Sequence, residues 1–227
     1  MKLLKHFLFG ILAGLAIGVG GFLFILSKTF VPGEYGKILG SIVFSVGLFT
    51  VCFFGLSLYT GKIGVAFEGK QENSFYIVLP IMIVGNAIGA VGLGYLCYLI
   101  FKDTELLNTA ISATESRTAQ FDNIESFEPF LATLLKGIAC GLCVYLAVKS
   151  FASGKFKNGG IVLLVFFVFI FVYFGFEHCI ANMFYFSMAN KWTGGAFINI
   201  ALVILANSIG TIPGVLFIKL AQKVVSK

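Results

Sequence analysis

Glu177 and His178 stand inside an otherwise apolar run, Ile161–Met188. An ionisable side chain at membrane depth costs about 2.5–3.5 kcal/mol even on permissive insertion scales, so it persists where protein or water surrounds it. The run therefore reads as a membrane span with polar chemistry in its second half, the mark of a conduction path or proton relay. An imidazole suits such a relay, because its reference pKa of about 6.5 lies near physiological pH. Adjacent helical residues point about 100° apart. If His178 faces a pore, Glu177 is expected to be structural, accepting from backbone N–H groups freed by a break in the helix.

Other polar residues in apolar surroundings have simpler readings. Asn86, Asn182 and Asn207 are expected to satisfy open backbone groups where helices break or cross. His6, in the charged amino-terminal flank, reads as solvated, and Trp192 beside Lys191 reads as an interface anchor. Cys52, Cys97, Cys140, Cys143 and Cys179 all lie in apolar segments. Cys140 and Cys143 form a CxxC without a second pair or a nearby histidine, so the cysteines read as packing residues. No metal and no cofactor is expected. The spans contain no HExxH, no GxSxG and no paired catalytic carboxylates, which argues against an enzyme.

The elements that position these residues follow from composition. Of 227 residues, 59% are hydrophobic and 11% charged, and the mean hydropathy is +0.99. A soluble domain carries about 25% charge. Residues 1–227 read as one all-α transmembrane domain, since unbroken apolar runs of about 20 residues span a bilayer and exclude a barrel. The net charge of +6 comes from residues at helix ends rather than one patch, so no nucleic-acid partner is expected. Lys2–Leu26 lacks a small-residue cleavage site before a polar region and reads as a retained first helix.

Six spans can be drawn: Phe7–Leu26, Ile38–Leu58, Phe75–Phe101, Phe130–Val148, Ile161–Met188 and Ala196–Leu220. With the amino terminus inside, the inner segments hold Lys2, Lys5, Lys62, Lys70, Lys149, Lys155, Lys157, Lys219, Lys223 and Lys227. The outer ones hold Lys28, Lys37, Lys102, Arg117 and Lys191. This bias predicts both termini in the cytoplasm of a cell-membrane protein. The long connection Lys102–Glu128 is acidic and is expected outside.

The chain also repeats itself. Gly85-Asn86-Ala87-Ile88-Gly89 in span three matches Ala206-Asn207-Ser208-Ile209-Gly210 in span six, with the asparagines 121 positions apart. Gly14 and Gly18 in span one match Gly137 and Gly141 in span four. Span two breaks at Leu58-Tyr59-Thr60-Gly61, and span five breaks around His178. Three spans per half, an odd number, place the halves (about 7–101 and 130–220) in opposite orientations, with broken helices two and five meeting near the midplane.

Gly175-Phe176-Glu177-His178-Cys179-Ile180-Ala181-Asn182-Met183-Phe184 resembles the GFEHxxANMF signature of the formate/nitrite transporter family of pentameric anion channels. Phe44-Ser45-Val46-Gly47-Leu48, Leu58-Tyr59-Thr60-Gly61, Gly137-Ile138-Ala139-Cys140 and both asparagine motifs support it. The resemblance implies an aquaporin-like protomer in a homopentamer, each subunit with its own pore. It implies His178 as the pore histidine and Thr60 as its partner from the other break. Leu48 and Phe171 would be hydrophobic constrictions, with Phe44 near the outer one. It also implies small monovalent anions or their acids as substrates: formate, nitrite, hydrosulfide, acetate, lactate.

Four positions depart from the family pattern. Ala139-Cys140-Gly141 replaces LCN, Glu125 replaces a lysine before span four (Arg117 or Lys136 could compensate), Ser57 replaces an acid, and Lys62 follows Gly61.

A bare anion entering a dry constriction meets an idealised penalty of about 20 kcal/mol, which a weak acid escapes by protonation. Either His178 shares a proton with the anion, or it stays a neutral N–H donor while water supplies the proton. The alternatives to an anion pore are an aquaporin-like pore for neutral solutes such as water or ammonia, although Asn-Pro-Ala is missing, and a proton-coupled secondary transporter.

Overall fold

The computed structural model describes residues 2–69, 71–122, 127–153 and 158–225. Glu125, Lys70, Lys155, Lys157 and Lys227, on which parts of the sequence reading rest, lie outside the described residues. The described residues form eleven helices. The first half has α1 (Lys2–Phe30), α2 (Gly33–Val43), α3 (Ser45–Phe53), α4 (Tyr59–Lys62), α5 (Val65–Glu68) and α6 (Asn73–Phe101). The second has α8 (Glu128–Ala152), α9 (Gly159–Tyr173), α10 (Cys179–Met188) and α11 (Gly194–Val225). Between them lies α7 (Glu105–Asp122).

Five stretches are long and apolar enough to cross a membrane as drawn: Leu3–Phe30, Gly33–Phe53, Asn73–Phe101, Glu128–Ala152 and Gly194–Val224. Span five is instead two shorter apolar helices, Gly159–Tyr173 and Cys179–Met188, because the chain unwinds between them.

The two breaks share one local design. Each upstream helix ends in a Schellman motif whose C′ residue is a glycine at positive φ, Gly55 (+61°) and Gly175 (+65°). Leu56 N–H donates to the Val51 carbonyl at 2.9 Å, and Phe176 N–H to the Phe171 carbonyl at 2.8 Å. The first break is thus Phe54–Leu58, four residues earlier than expected, and Tyr59-Thr60-Gly61 already begins the next helix. Helix resumes at Tyr59 in one half and at Cys179 in the other.

The outer scaffold of each half is a close helix crossing, α1 on α6 and α8 on α11. A Cβ on Gly14 would sit 2.1 Å from the Asn86 carbonyl oxygen, and one on Gly141 2.2 Å from that of Asn207. Such contact between backbones is how small residues hold membrane helices together without a hydrophobic drive.

The connection after span three is not merely a polar loop. Leu106, Ala110, Thr114, Thr118 and Phe121 recur at helical spacing and are buried, so α7 lays one face on α10 and α11. The Thr114 hydroxyl donates to the Tyr185 carbonyl at 3.2 Å. Trp192 is tied inward as well: its indole N–H donates to Ser187 Oγ at 3.1 Å and its ring lies edge-on to Phe186.

Gly141→Val is expected to lower the stability of the purified protein by about 1–3 kcal/mol or more, the usual cost of overpacking. Thermal unfolding in detergent reads this. Gly92→Ala, where an added Cβ meets nothing within 4 Å, should leave the transition in place.

Candidate functional site

Unwinding two helices at membrane depth leaves backbone donors and acceptors without intrahelical partners. In the first half, Asn86 answers this. Its Oδ1 accepts from Tyr59 N–H at 2.8 Å, and its Nδ2 donates to the carbonyls of Ser57 and Gly10, both at 2.9 Å. Asn207 repeats the arrangement in the second half. Its Oδ1 accepts from Cys179 N–H at 3.0 Å, and its Nδ2 donates to the carbonyls of Glu177 (2.8 Å) and Gly137 (2.9 Å). Each amide binds the first N–H of the resumed helix, a carbonyl of the break and a carbonyl of the neighbouring helix.

Held this way, the two breaks present one polar side chain each to the other. Thr60 Oγ1 and His178 Nε2 are 2.9 Å apart, and both residues are buried. His178 is also the N-cap of α10, where its Nδ1 accepts from Ala181 N–H at 3.2 Å. An imidazole that accepts at Nδ1 is neutral with its proton on Nε2, so Nε2–H donates to Thr60 and leaves the threonine hydroxyl proton for a further acceptor.

Among the described residues Glu177 accepts from side chains rather than from the backbone N–H groups expected from sequence. Its Oε2 accepts from Asn182 Nδ2 at 2.6 Å and pairs with Arg117 Nε at 3.4 Å. Asn182 likewise works among side chains rather than on open backbone. It also donates to Asn199 Oδ1 at 2.9 Å and accepts from Arg117 Nε at 3.2 Å. Asn199 closes the cluster by donating to the Arg117 carbonyl at 3.4 Å, and the guanidinium lies over the Tyr185 ring, 5.0 Å from its centroid. No local sequence pattern points to Asn199 or Tyr185, and in the sequence Arg117 reads as an outer basic residue and a candidate substitute for the lysine missing before span four. His6 is not simply solvated: its Nδ1 lies 3.0 Å from Ser57 Oγ.

Aromatic rings wall the site. Phe171 stacks on the His178 ring with centroids 5.9 Å apart and meets Phe44 edge to face at 5.6 Å. Phe44, Phe171, His178, Arg117, Asn182 and Tyr185 line a cavity of about 20 Å³ on the side of α7, room for about one water. A larger cavity of about 140 Å³ lies on the side of the termini, lined among others by Leu58, Gly61 and Lys62. The two share no lining residue. Leu48, 1% exposed, belongs to neither wall and is packed in the hydrophobic core.

Two broken helices from oppositely oriented halves, meeting at a buried imidazole, define a multi-pass membrane protein of the transporter and channel class. The chain belongs to the formate/nitrite transporter family, whose model matches residues 1–223. A formate channel FocA of Haemophilus influenzae is 30% identical over 190 residues, 78% of this chain and 64% of that protein. A formate-nitrite transporter of Entamoeba histolytica is 28% identical over 203 residues, 85% and 55% respectively. The nitrite transporter NirC of Escherichia coli is 25% identical over 198 residues. The aligned part thus spans about 55–64% of the length of the first two relatives. A solved pentameric formate channel with formate bound shares the fold with a TM-score of 0.76 at 23% identity, covering 99% of this chain and 98% of that one. An ion channel of the same family gives 0.75 at 20% identity.

Removing one partner of a buried ion pair typically costs about 3–5 kcal/mol, because the other charge remains without compensation. Arg117→Met should therefore destabilise the protein by that order, as a lowered unfolding temperature in detergent. Adding Glu177→Gln in the same chain should recover most of the loss; a double variant no more stable than the single one would mean that Arg117 acts through its packing on Tyr185 instead.

Proposed function

We propose that this chain is a single-domain membrane channel, residues 1–227, for small monovalent weak-acid anions of the formate, nitrite, hydrosulfide or short-carboxylate class. It assembles as a homopentamer in the cell membrane with both termini in the cytoplasm. The contact of Thr60 with His178 carries this reading, since it sets a directed pair of hydrogen-bond donors where two opposed helix breaks meet. The relatives named above act as formate or nitrite carriers, which supports the substrate class.

The pathway runs from the small outer cavity past Phe44, Phe171 and Leu48 to the larger inner one. Apolar surroundings disfavour the charged form of any group and raise the pKa of an acid. An anion entering the neck therefore takes a proton from the water beside it, leaving hydroxide on the side it came from, crosses as the neutral acid and releases the proton to water on the far side. His178 helps as a neutral donor. Its Nε2–H polarises the Thr60 hydroxyl, which points its own proton at the passing oxygen and offsets lost hydration. The bond from Ala181 N–H to Nδ1 favours this over proton sharing, because protonating Nδ1 would break the cap. Glu177, neutralised by Arg117, adds no net charge to the neck.

His178→Asn keeps both a donor and a good N-cap but cannot titrate. In proteoliposomes loaded with a pH-sensitive dye, this variant should keep the wild-type shape of flux against pH between about 5 and 8, at a rate lowered by about tenfold or less. His178→Phe, with no donor, should abolish flux. A pH profile flattened in the Asn variant would instead assign the titrating proton to the imidazole. Glycerol or water permeation exceeding acid flux in the wild type would favour the neutral-solute pore.

A further inference from the structure

The inner cavity, about 140 Å³, lies between the end of α3, the first break and the last turn of α8. Val51, Leu56, Leu58, Val148 and Phe151 give it an apolar wall, and among the described residues Lys62 is the one charged residue in its lining. The Lys62 ammonium makes no ion pair among the described residues, and it lies within electrostatic reach of the lining thiol Cys52. Lys62 shares the short helix α4 with Thr60, two positions away, whose hydroxyl meets His178.

Size and chemistry together specify a guest. An apolar cavity of about 150 Å³ accepts a molecule as large as benzene, far more room than formate or nitrite needs. The outer cavity, at about 20 Å³, cannot hold such a guest. A mostly apolar pocket with one orienting charge is the pattern of a small-molecule site. A lone cation at its rim selects an anionic head, and the wall rewards an alkyl tail. We propose that Lys62 and the Leu56–Val148–Phe151 wall form a binding site for straight-chain monocarboxylates of three or four carbons. The carboxylate lies on the Lys62 ammonium and the tail on the wall. Where the channel reading above holds, this site loads the inner mouth and favours such acids over formate and nitrite; the binding itself does not depend on that reading.

The test uses the full-length protein in lipid nanodiscs, with sodium acetate, propionate and butyrate as probes and ligand-observed NMR as the readout. Burying a methylene tightens binding about fourfold, so butyrate, with two more than acetate, should bind about fifteenfold more tightly. Lys62→Gln should weaken all three about tenfold, Lys62→Arg should retain binding, and Ala152→Leu, at an exposed position on the rim, should shrink the advantage of butyrate over acetate. Butyrate binding no tighter than acetate, wild-type affinity in Lys62→Gln, or no butyrate binding at all (the outcome if a lipid chain fills the cavity) overturns the site. Flux measured in parallel separates the two readings. Binding that depends on Lys62 without any acid flux removes the channel reading and leaves the site, and flux without such binding does the reverse.

Discussion

Everything in this molecule depends on satisfying the backbone where two helices stop inside the membrane. Lipid offers no partner to a free N–H or carbonyl, and each one left open costs several kcal/mol. Asn86 and Asn207 remove that cost in the same way in both halves, each with one accepted and two donated hydrogen bonds. Their placement also requires glycine at the helix crossings, since any side chain on Gly14 or Gly141 would strike the carbonyl of the same asparagine residue. Packing and polar satisfaction are thus one device. The two backbones approach closely enough for an amide to reach across, and the amide then fixes where each helix resumes.

On this symmetric frame the chemistry is asymmetric. The first break contributes a hydroxyl at the second position of its new helix, and the second contributes an imidazole at its N-cap. Glu177 occurs only in the second half, and its partner comes from α7, the helix outside the repeat. A buried carboxylate with one amide donor would be costly, so the guanidinium of Arg117 is better understood as completing Glu177 than as attracting ligands. Its geometry agrees. The Nε lies between Glu177 and Asn182, and the plane rests on Tyr185, so little of the charge is left free to hold an anion in the neck. A conducting path requires sites that bind weakly enough to release.

Much of this was legible in the sequence because the repeat leaves matched motifs. The asparagine motifs recur as read, whereas the glycine register is one turn off: the structure pairs Gly10 with Gly137 and Gly14 with Gly141, each against the matched asparagine, rather than Gly14 with Gly137 and Gly18 with Gly141. Gly55 and Gly175 carry the same information and went unread; they fix the breaks better than Leu58-Tyr59-Thr60-Gly61 does. The roles of Glu177 and Asn182 were misread for a physical reason. Their partners, Arg117 and Asn199, are 60 and 17 residues away, on elements whose packing no local pattern announces. A signal for one of them did exist. Arg117 is the only arginine in a chain that otherwise uses lysine, and arginine is the cation suited to a buried, directional pair.

Two of the four departures from the family pattern, Ser57 and Lys62, lie at or beside the first break and act in one direction. Where the family carries an acid, this chain has Ser57, whose hydroxyl meets His6 and whose carbonyl is held by Asn86. Structure is kept there by neutral hydrogen bonds, and a fixed negative charge is removed. The nearest acid along the chain, Glu68, is engaged by Lys149 and by the Tyr145 hydroxyl, which ties α5 to α8 and takes that carboxylate out of the vestibule's balance. Lys62 is then added, with no ion pair among the described residues. Lys62 stands two positions from Thr60 on the same short helix, and a Debye length of about 8 Å in physiological salt keeps the reach of its charge local. On the proposed channel reading, the face that carries Lys62 gathers anions beside a neck that they cross as neutral acids. That reading separates recruitment by charge from passage without charge, with the first break between the two.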